Sequence, residues 1–491
     1  MDRPSSVLPV AGLADLTTES RMIATPWSRM VRGIGLGQYP IGYDPAAARR
    51  IRHTFDLLAA KVPPSNSYTL FARRLADLIL NVADPAVDLS RTDTGAAVGS
   101  IVDAVRAEEN PYHRVTAGSI LMDAFAKLGL DRTLLVNEWM DFPAEILATT
   151  DQIRPDRIED ENQGRHGDYE RLSACTAVFL ALGQLGLADR LVTGERDHVR
   201  ESLELLDRIP APFFRGRGGS MLLSVLFLLG YDSHVFGGPR DHLKEVLDYL
   251  DRADELNLPP AFPQPMTEAF GKIYPLLTML NAVAASGRAE YLTDGKDRLA
   301  EAKELLGRID PVERTHMGLY YLVALHNLGR LSAEVPDLDA FVEDVLGPWD
   351  HADPGANFFR NGIAYPYMIE TAMLTGRLDL ITGRGLDRLV HSYPGLDRTD
   401  LDRANRPYPF SYTLNMLGEI GAADRLYTPS DTYGGRSAVA WVVDHLSDGG
   451  REEGSRLYML DHALVSYALR LRDRERAETE VFRNFRFRLA S

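Results

Sequence analysis

"DHVRESLELLDRIPAPFFRGRGGSMLLSVLFLLG", residues 197–230, contains two helices of opposite character. Between Asp197 and Ile209 the apolar residues recur at helical spacing along one stripe, and charged residues occupy the rest of the surface. That is a half-solvated helix. From Met221 to Leu229 the chain is apolar on almost every side, which requires protein around the whole helix, and it stops at Gly230, a residue type suited to a left-handed helix cap. Arg215, Arg217, two phenylalanines and three glycines lead into this second helix. Either the arginines cap a buried element at the surface or they line a cavity.

The same pair recurs along the chain. Apolar members read "TAVFLALGQLGLADR", "LLTMLNAVAASGR", "GLYYLVALHNLGR", "YMIETAMLTGR" and "YTLNMLGEIGAADR", ending at Gly186, Gly287, Gly329, Gly376 and Gly421. With Gly230 these ends lie about 47 residues apart on average, a period longer than the roughly 34 residues of tetratricopeptide repeats. Amphipathic members read "DHLKEVLDYLDRADEL", "KDRLAEAKELLGRI" and "LDAFVEDVL". Period-2 alternation is nearly absent, so the chain is expected to be all-α, a repeat of antiparallel helical hairpins with apolar helices inside and amphipathic ones outside. The contrast between the two members favours closure into an α/α toroid; an open α-solenoid is the alternative. The expected organisation is an irregular segment over 1–44, N-terminal hairpins packed on the main body over 45–150, the main repeat over 151–475 and a tail over 476–491.

The totals narrow the partners. Among 491 residues, 70 acidic and 54 basic side chains give a net charge of −16, which argues against nucleic acid or an anionic membrane as the main partner. Cys175 is the only cysteine, so no internal disulfide or multi-thiolate zinc site can form. No stretch approaches about 18 apolar residues without a charge, so no membrane insertion and a cytoplasmic location are expected. Oligomeric state is not legible.

In a hairpin repeat all inner helices run the same way, and the segments leading into them gather at one end. Those segments, among them "ENPYHRVT" (109–116), "GRHGDYERLS" (164–173), "PFFRGRGGS" (212–220), "VERTHMG" (312–318), "ANFFRNGIAYPY" (356–367) and "NRPYPFSY" (405–412), carry most of the reactive side chains. Converging helix N-termini with arginines suit an anion such as a phosphate, diphosphate or carboxylate. His166, Asp168 and Tyr169 form the densest proton-transfer set, a histidine with a carboxylate close enough to fix its tautomer; His316 and Glu268 are further candidates, with His113 and Glu452 behind them. Arg215, Arg217, Arg360 and Asn361 are candidates to hold the substrate, and Phe213, Phe214, Phe359, Tyr408 and Tyr412 to line an apolar pocket or face a cation. No protein metal-ligand set stands out. Mg2+ is possible through Asp156 and Asp160 in "DQIRPDRIEDENQ" (151–163), although Pro155 favours a solvated loop there. "GIGLG" (33–37) lacks the dinucleotide-binding context.

These features lead to the expectation of a lyase or isomerase acting on an anionic, partly apolar small molecule, with a non-standard terpene cyclase acting on a prenyl diphosphate as its specific form. It would be non-standard because neither DxDD nor DDxxD occurs. Two alternatives remain open: a glycan lyase or hydrolase recognising a uronic acid through Asn361, His166, Tyr412 and Arg360, and a helical-repeat scaffold that grips a peptide.

Overall fold

The computed structural model describes residues 43–61, 67–88, 93–153, 167–251, 267–351, 358–381, 384–398, 407–449 and 457–471. The irregular segment and tail expected at the two ends, "GIGLG" and the Asp156/Asp160 pair lie outside them. The described residues are all-helical, with no strand; single antiparallel bridges at Val136–Asp141, Val192–Asp197 and Ser430–Arg436 close short turns.

Among the described residues, eighteen helices of eight residues or more alternate in character. The amphipathic series is Pro45–Ala59 (α1), Thr94–Arg106 (α3), Phe142–Thr149 (α5), His198–Asp207 (α7), His242–Asp251 (α9), Arg298–Arg308 (α11), Leu338–Leu346 (α13), Arg384–His391 (α15) and Ala438–Gly449 (α17). The buried series is Ser67–Ala83 (α2), Pro111–Leu128 (α4), Gly167–Gln184 (α6), Pro212–Leu229 (α8), Glu268–Ser286 (α10), Pro311–Asn327 (α12), Phe358–Leu374 (α14), Pro407–Glu419 (α16) and Leu457–Arg470 (α18). Shorter helical turns fill the connections.

Aspartates start many of the amphipathic helices. Asp44, Asp93, Asp141, Asp197, Asp297 and Asp337 each accept a backbone N–H of the first turn, so part of the acidic excess is spent satisfying orphan donors. At the other end of the buried helices, Gly186, Gly230, Gly287, Gly329, Gly376 and Gly421 all have φ between 66° and 81°, and Gly129 ends α4 in the same way. These are the left-handed caps expected from the sequence.

Each buried helix packs on the next, from α2 through to α18, and most amphipathic helices lie across two consecutive buried ones. The first and last of the described helices also meet. Helix α18 packs on α2, and α1 contacts both. Thr54 and Tyr427 share a hydrogen bond of 2.9 Å, and Lys61 lies 2.9 Å from Asp444.

Close approach between the layers follows a repeated device. Helices α4, α8 and α12 each open with proline, and seven residues later each has a glycine: Gly118, Gly219 and Gly318. Each meets a β-branched residue of the following amphipathic helix, Ile146, Val246 and Val345 respectively. A Cβ at Gly318 would stand 2.6 Å from Val345, and one at Gly118 2.4 Å from Ile146. The other glycines of the "GRGG" run serve the same end, Gly216 against Pro275 and Leu250, and Gly218 against Leu172 and Tyr169. They are spacing residues that let α8 be enclosed. No helix among the described residues is long and apolar enough to cross a membrane.

Gly318→Val is therefore expected to cost about 1–3 kcal/mol through overpacking. Gly307→Ala, in the last turn of α11 with open space around it, is expected to be neutral or to stabilise by up to about 1 kcal/mol. Urea unfolding of both variants checks the pair, and equal effects would show that the glycine at the helix crossing is not a packing requirement.

Candidate functional site

The two arginines of the opening stretch separate. Residues two apart on a helix point about 200° away from each other, and Arg215 and Arg217 do so. Arg215 turns toward the amphipathic layer, with Nη2 3.0 Å from Asp207 and its guanidinium 4.4 Å over the Tyr249 ring. Arg217 turns the other way and is buried, its guanidinium 5.8 Å from the centre of the Tyr169 ring and 5.5 Å from that of Tyr274. Position in the helix, more than residue type, decides which one can meet a ligand.

Arg217 stands within a continuous chain of ring contacts along six successive buried helices. Tyr169 of α6 lies 5.0 Å from Phe214 of α8, and Phe213 stacks on Tyr274 of α10 at 5.3 Å. Tyr274 and Phe270 both touch His316 of α12, at 5.4 and 5.7 Å. His316 stacks on Tyr367 of α14 at 3.7 Å and has Tyr320 at 5.0 Å, and Tyr367 meets Tyr412 of α16 at 5.3 Å. Tyr412 donates a 2.7 Å hydrogen bond to Glu370 Oε2, both side chains being fully buried. Tyr169, Phe213, Phe214 and Phe270 fall in the first turns of their helices, where backbone N–H groups have no partner within the helix and the partial charge is positive; the others lie one to three turns further in.

The arrangement joins Tyr169, Arg217, Phe213, Phe214, His316 and Tyr412 among the residues singled out from sequence. It leaves out others. Glu268 sits on a different face of α10 from Phe270 and Tyr274; it is largely exposed and paired with Lys272 at 2.6 Å. Asp168 is buried and its Oδ1 lies 3.4 Å from Arg208 at the end of α7. His166 lies outside the described residues, as do the side chains of Phe359, Arg360, Asn361 and Tyr408, so the expected His166–Asp168 pair and the Arg360–Asn361 contacts fall outside the geometry. Residues not singled out also belong: Tyr274, Tyr320, Tyr367 and Glu370. The available signal was spacing, since Phe270/Tyr274 and His316/Tyr320 repeat an aromatic pair four residues apart on neighbouring helices.

A second polar cluster lies in the amphipathic layer. Asp207, His242 and Glu245 have ligand atoms within 4.8 Å of one another, as a metal site would require. Arg240 already bridges the two carboxylates, lying 2.6 Å from Asp207, and Arg215 approaches Asp207 as well. The repeat shows what the cluster is. One hairpin earlier, Arg196 bridges Asp151 at 2.5 Å and Glu201 at 2.6 Å beside His198; one hairpin later, Lys296 bridges Asp251 and Glu301 at 2.8 Å, and Arg298 replaces the histidine. A guanidinium in the place of the imidazole fits an ion-pair clasp between consecutive amphipathic helices and does not fit a metal ligand.

The clasps set protonation states. Hydrogen bonds from Arg196 hold Asp151 below the usual carboxylate range. Burial, and then the charge of Arg196 or Arg240, pushes His198 and His242 below the ordinary histidine value. Burial also lowers His326 and raises the Cys175 thiol.

Comparison of the chain with known protein families, characterised proteins and solved structures returned no match.

Because His198 and His242 are depressed in the folded state, the unfolded chain binds more protons below its own histidine pKa of 6.5. Their stabilising contribution is complete above that value and is lost as pH falls through the folded values. Melting temperature should drop as pH falls below 6.5, and a His198→Asn/His242→Asn double variant should flatten that slope. An unchanged slope would remove the clasps as its source.

Proposed function

We propose that the hairpins close into an α/α toroid and that the aromatic chain around Arg217 and His316 is the binding site of a lyase or isomerase acting on an anionic, partly apolar small molecule. Closure is supported by the packing of α18 on α2. The observation that carries the site is the run of ring contacts from Tyr169 to Tyr412 with one buried cation and one histidine set within it. Stacked π-faces stabilise positive charge that develops on an apolar skeleton, and a buried guanidinium in the second turn of α8 holds the anion that leaves it. Cyclisation of a prenyl diphosphate combines these needs: the C–O bond breaks with its electrons going to diphosphate, the rings shelter the cation, and a base removes a proton. Arg217, not Arg215, is the cation retained in this reading, and His316 is the proton carrier beside the rings.

Incubation with prenyl diphosphates of different chain length, followed by product analysis by gas chromatography and mass spectrometry, tests the chemistry. Arg217→Met should weaken binding of inorganic diphosphate by about tenfold to a hundredfold, the worth of a charge-assisted contact. His316→Phe preserves the stack on Tyr367 and should lower turnover by about a hundredfold to ten-thousandfold, with an unchanged circular dichroism spectrum in both variants. No product from any prenyl diphosphate, together with unchanged diphosphate binding in Arg217→Met, would refute the reading. Saturable binding of a uronate or of an extended peptide in its place would then select the glycan-processing or scaffold alternative.

A further inference from the structure

The aromatic chain leaves three buried helices unaccounted for, α18, α2 and α4, and these carry a second titratable cluster at the same end of the bundle. Tyr68, in the first turn of α2, has its hydroxyl hydrogen-bonded to Nε2 of His462 in α18. The ring of His113, in the first turn of α4, meets Tyr68 edge-on at 5.6 Å. One residue along each helix, Thr69 donates a 2.9 Å hydrogen bond to Oδ2 of Asp461, which is buried and whose other oxygen has no partner among the described residues. Two consecutive residues of α18 thus pair with two consecutive residues of α2. Asp461 and His462 differ by about 100° around their helix, so the contacts lie at different depths of the same seam.

We propose that Tyr68 is a second proton-transfer residue of the site described above, with His462 as the relay that takes up or returns its proton. The inference rests on that site being a real one. Along the order of buried helices, α2 is four steps from α12 through α14, α16 and α18, which in a closed ring of nine sets Tyr68 across from His316. A cyclisation ends when a C–H bond next to the cation breaks and its electron pair becomes the new C=C bond. The proton released passes to the Tyr68 oxygen as the phenol proton passes to His462 Nε2, leaving a neutral tyrosine and an imidazolium; since His462 is buried, its proton returns by the same path through the Tyr68 hydroxyl to the departing diphosphate. In an isomerisation the same pair removes one proton while His316 supplies another, and no oxidant or reductant is needed. Burial pushes the Asp461 carboxyl up to about 7, so the acid beside His462 is only partly ionised near neutrality.

Farnesyl diphosphate is the probe. Tyr68→Phe keeps the ring against Phe71 and His113 and should lower turnover at least about a hundredfold with affinity for farnesyl diphosphate within about threefold. His462→Gln should lower it similarly and remove the acidic limb of the pH–rate profile, and the double variant should be no slower than either single one, because the two residues act as a unit. An independent readout uses the full-length protein with 13Cε1-labelled histidine: His462 and His316 resonances should both shift when farnesyl diphosphate is added. Tyr68→Phe with wild-type turnover, or a silent His462 beside a responding His316, overturns the inference and leaves the proposed site standing. If both histidines are silent, the proposed site fails and this inference fails with it.

Discussion

A helix with no polar face must have protein on every side, and that constraint organises the molecule. Nearly every residue of α8 from Phe213 to Leu228 is buried, which one hairpin partner could not achieve. The demand is met by neighbours in both directions along the buried series and by an amphipathic helix behind. Helices α2 and α18 pack on each other, and α1 contacts both. The glycines at the helix crossings are the local condition for this arrangement, since they remove the side chain where two helices come closest.

The sequence made the fold legible because the demand for burial is written in composition. The all-apolar helices, their stripe-bearing partners and the six terminal glycines could be read residue by residue, and the left-handed caps at Gly186 through Gly421 are where that reading puts them. The site was legible only in outline. Arg215 and Arg217 look alike in a string of letters, and only the helix phase separates the one bound to Asp207 from the one among the rings. Glu268 was attractive as a carboxylate at a helix start, yet a lysine four residues on pairs with it at the surface. Tyr68 and His462 could not be connected at all, since their contact joins residues 394 positions apart.

The clasps and the ring chain divide the charged residues into two kinds of work. In the amphipathic layer, arginine and lysine bridge aspartates and glutamates of consecutive helices, in pairs that solvent partly screens. In the buried helices, the cations that are themselves buried among the described residues are Arg217, between Tyr169 and Tyr274, and Lys127, paired with Asp123. The negative surface discourages polyanions, while the first turns of the buried helices present the positive ends of their dipoles.

The pairing of α2 with α18 also has a consequence for how the chain reaches its native state. Most contacts of the repeat are between neighbouring hairpins and can form as the polypeptide leaves the ribosome, but the flank of α2 that faces α18 waits for the last of the described helices. Until residues 457–470 are made, an apolar flank near the beginning of the chain has no partner. Contacts of such sequence separation are slow to form and leave intermediates prone to association. Loss of the final hairpin would accordingly expose two surfaces, the flank of α16 and that of α2, and the truncated chain would fail by aggregation rather than persist as a shorter working repeat.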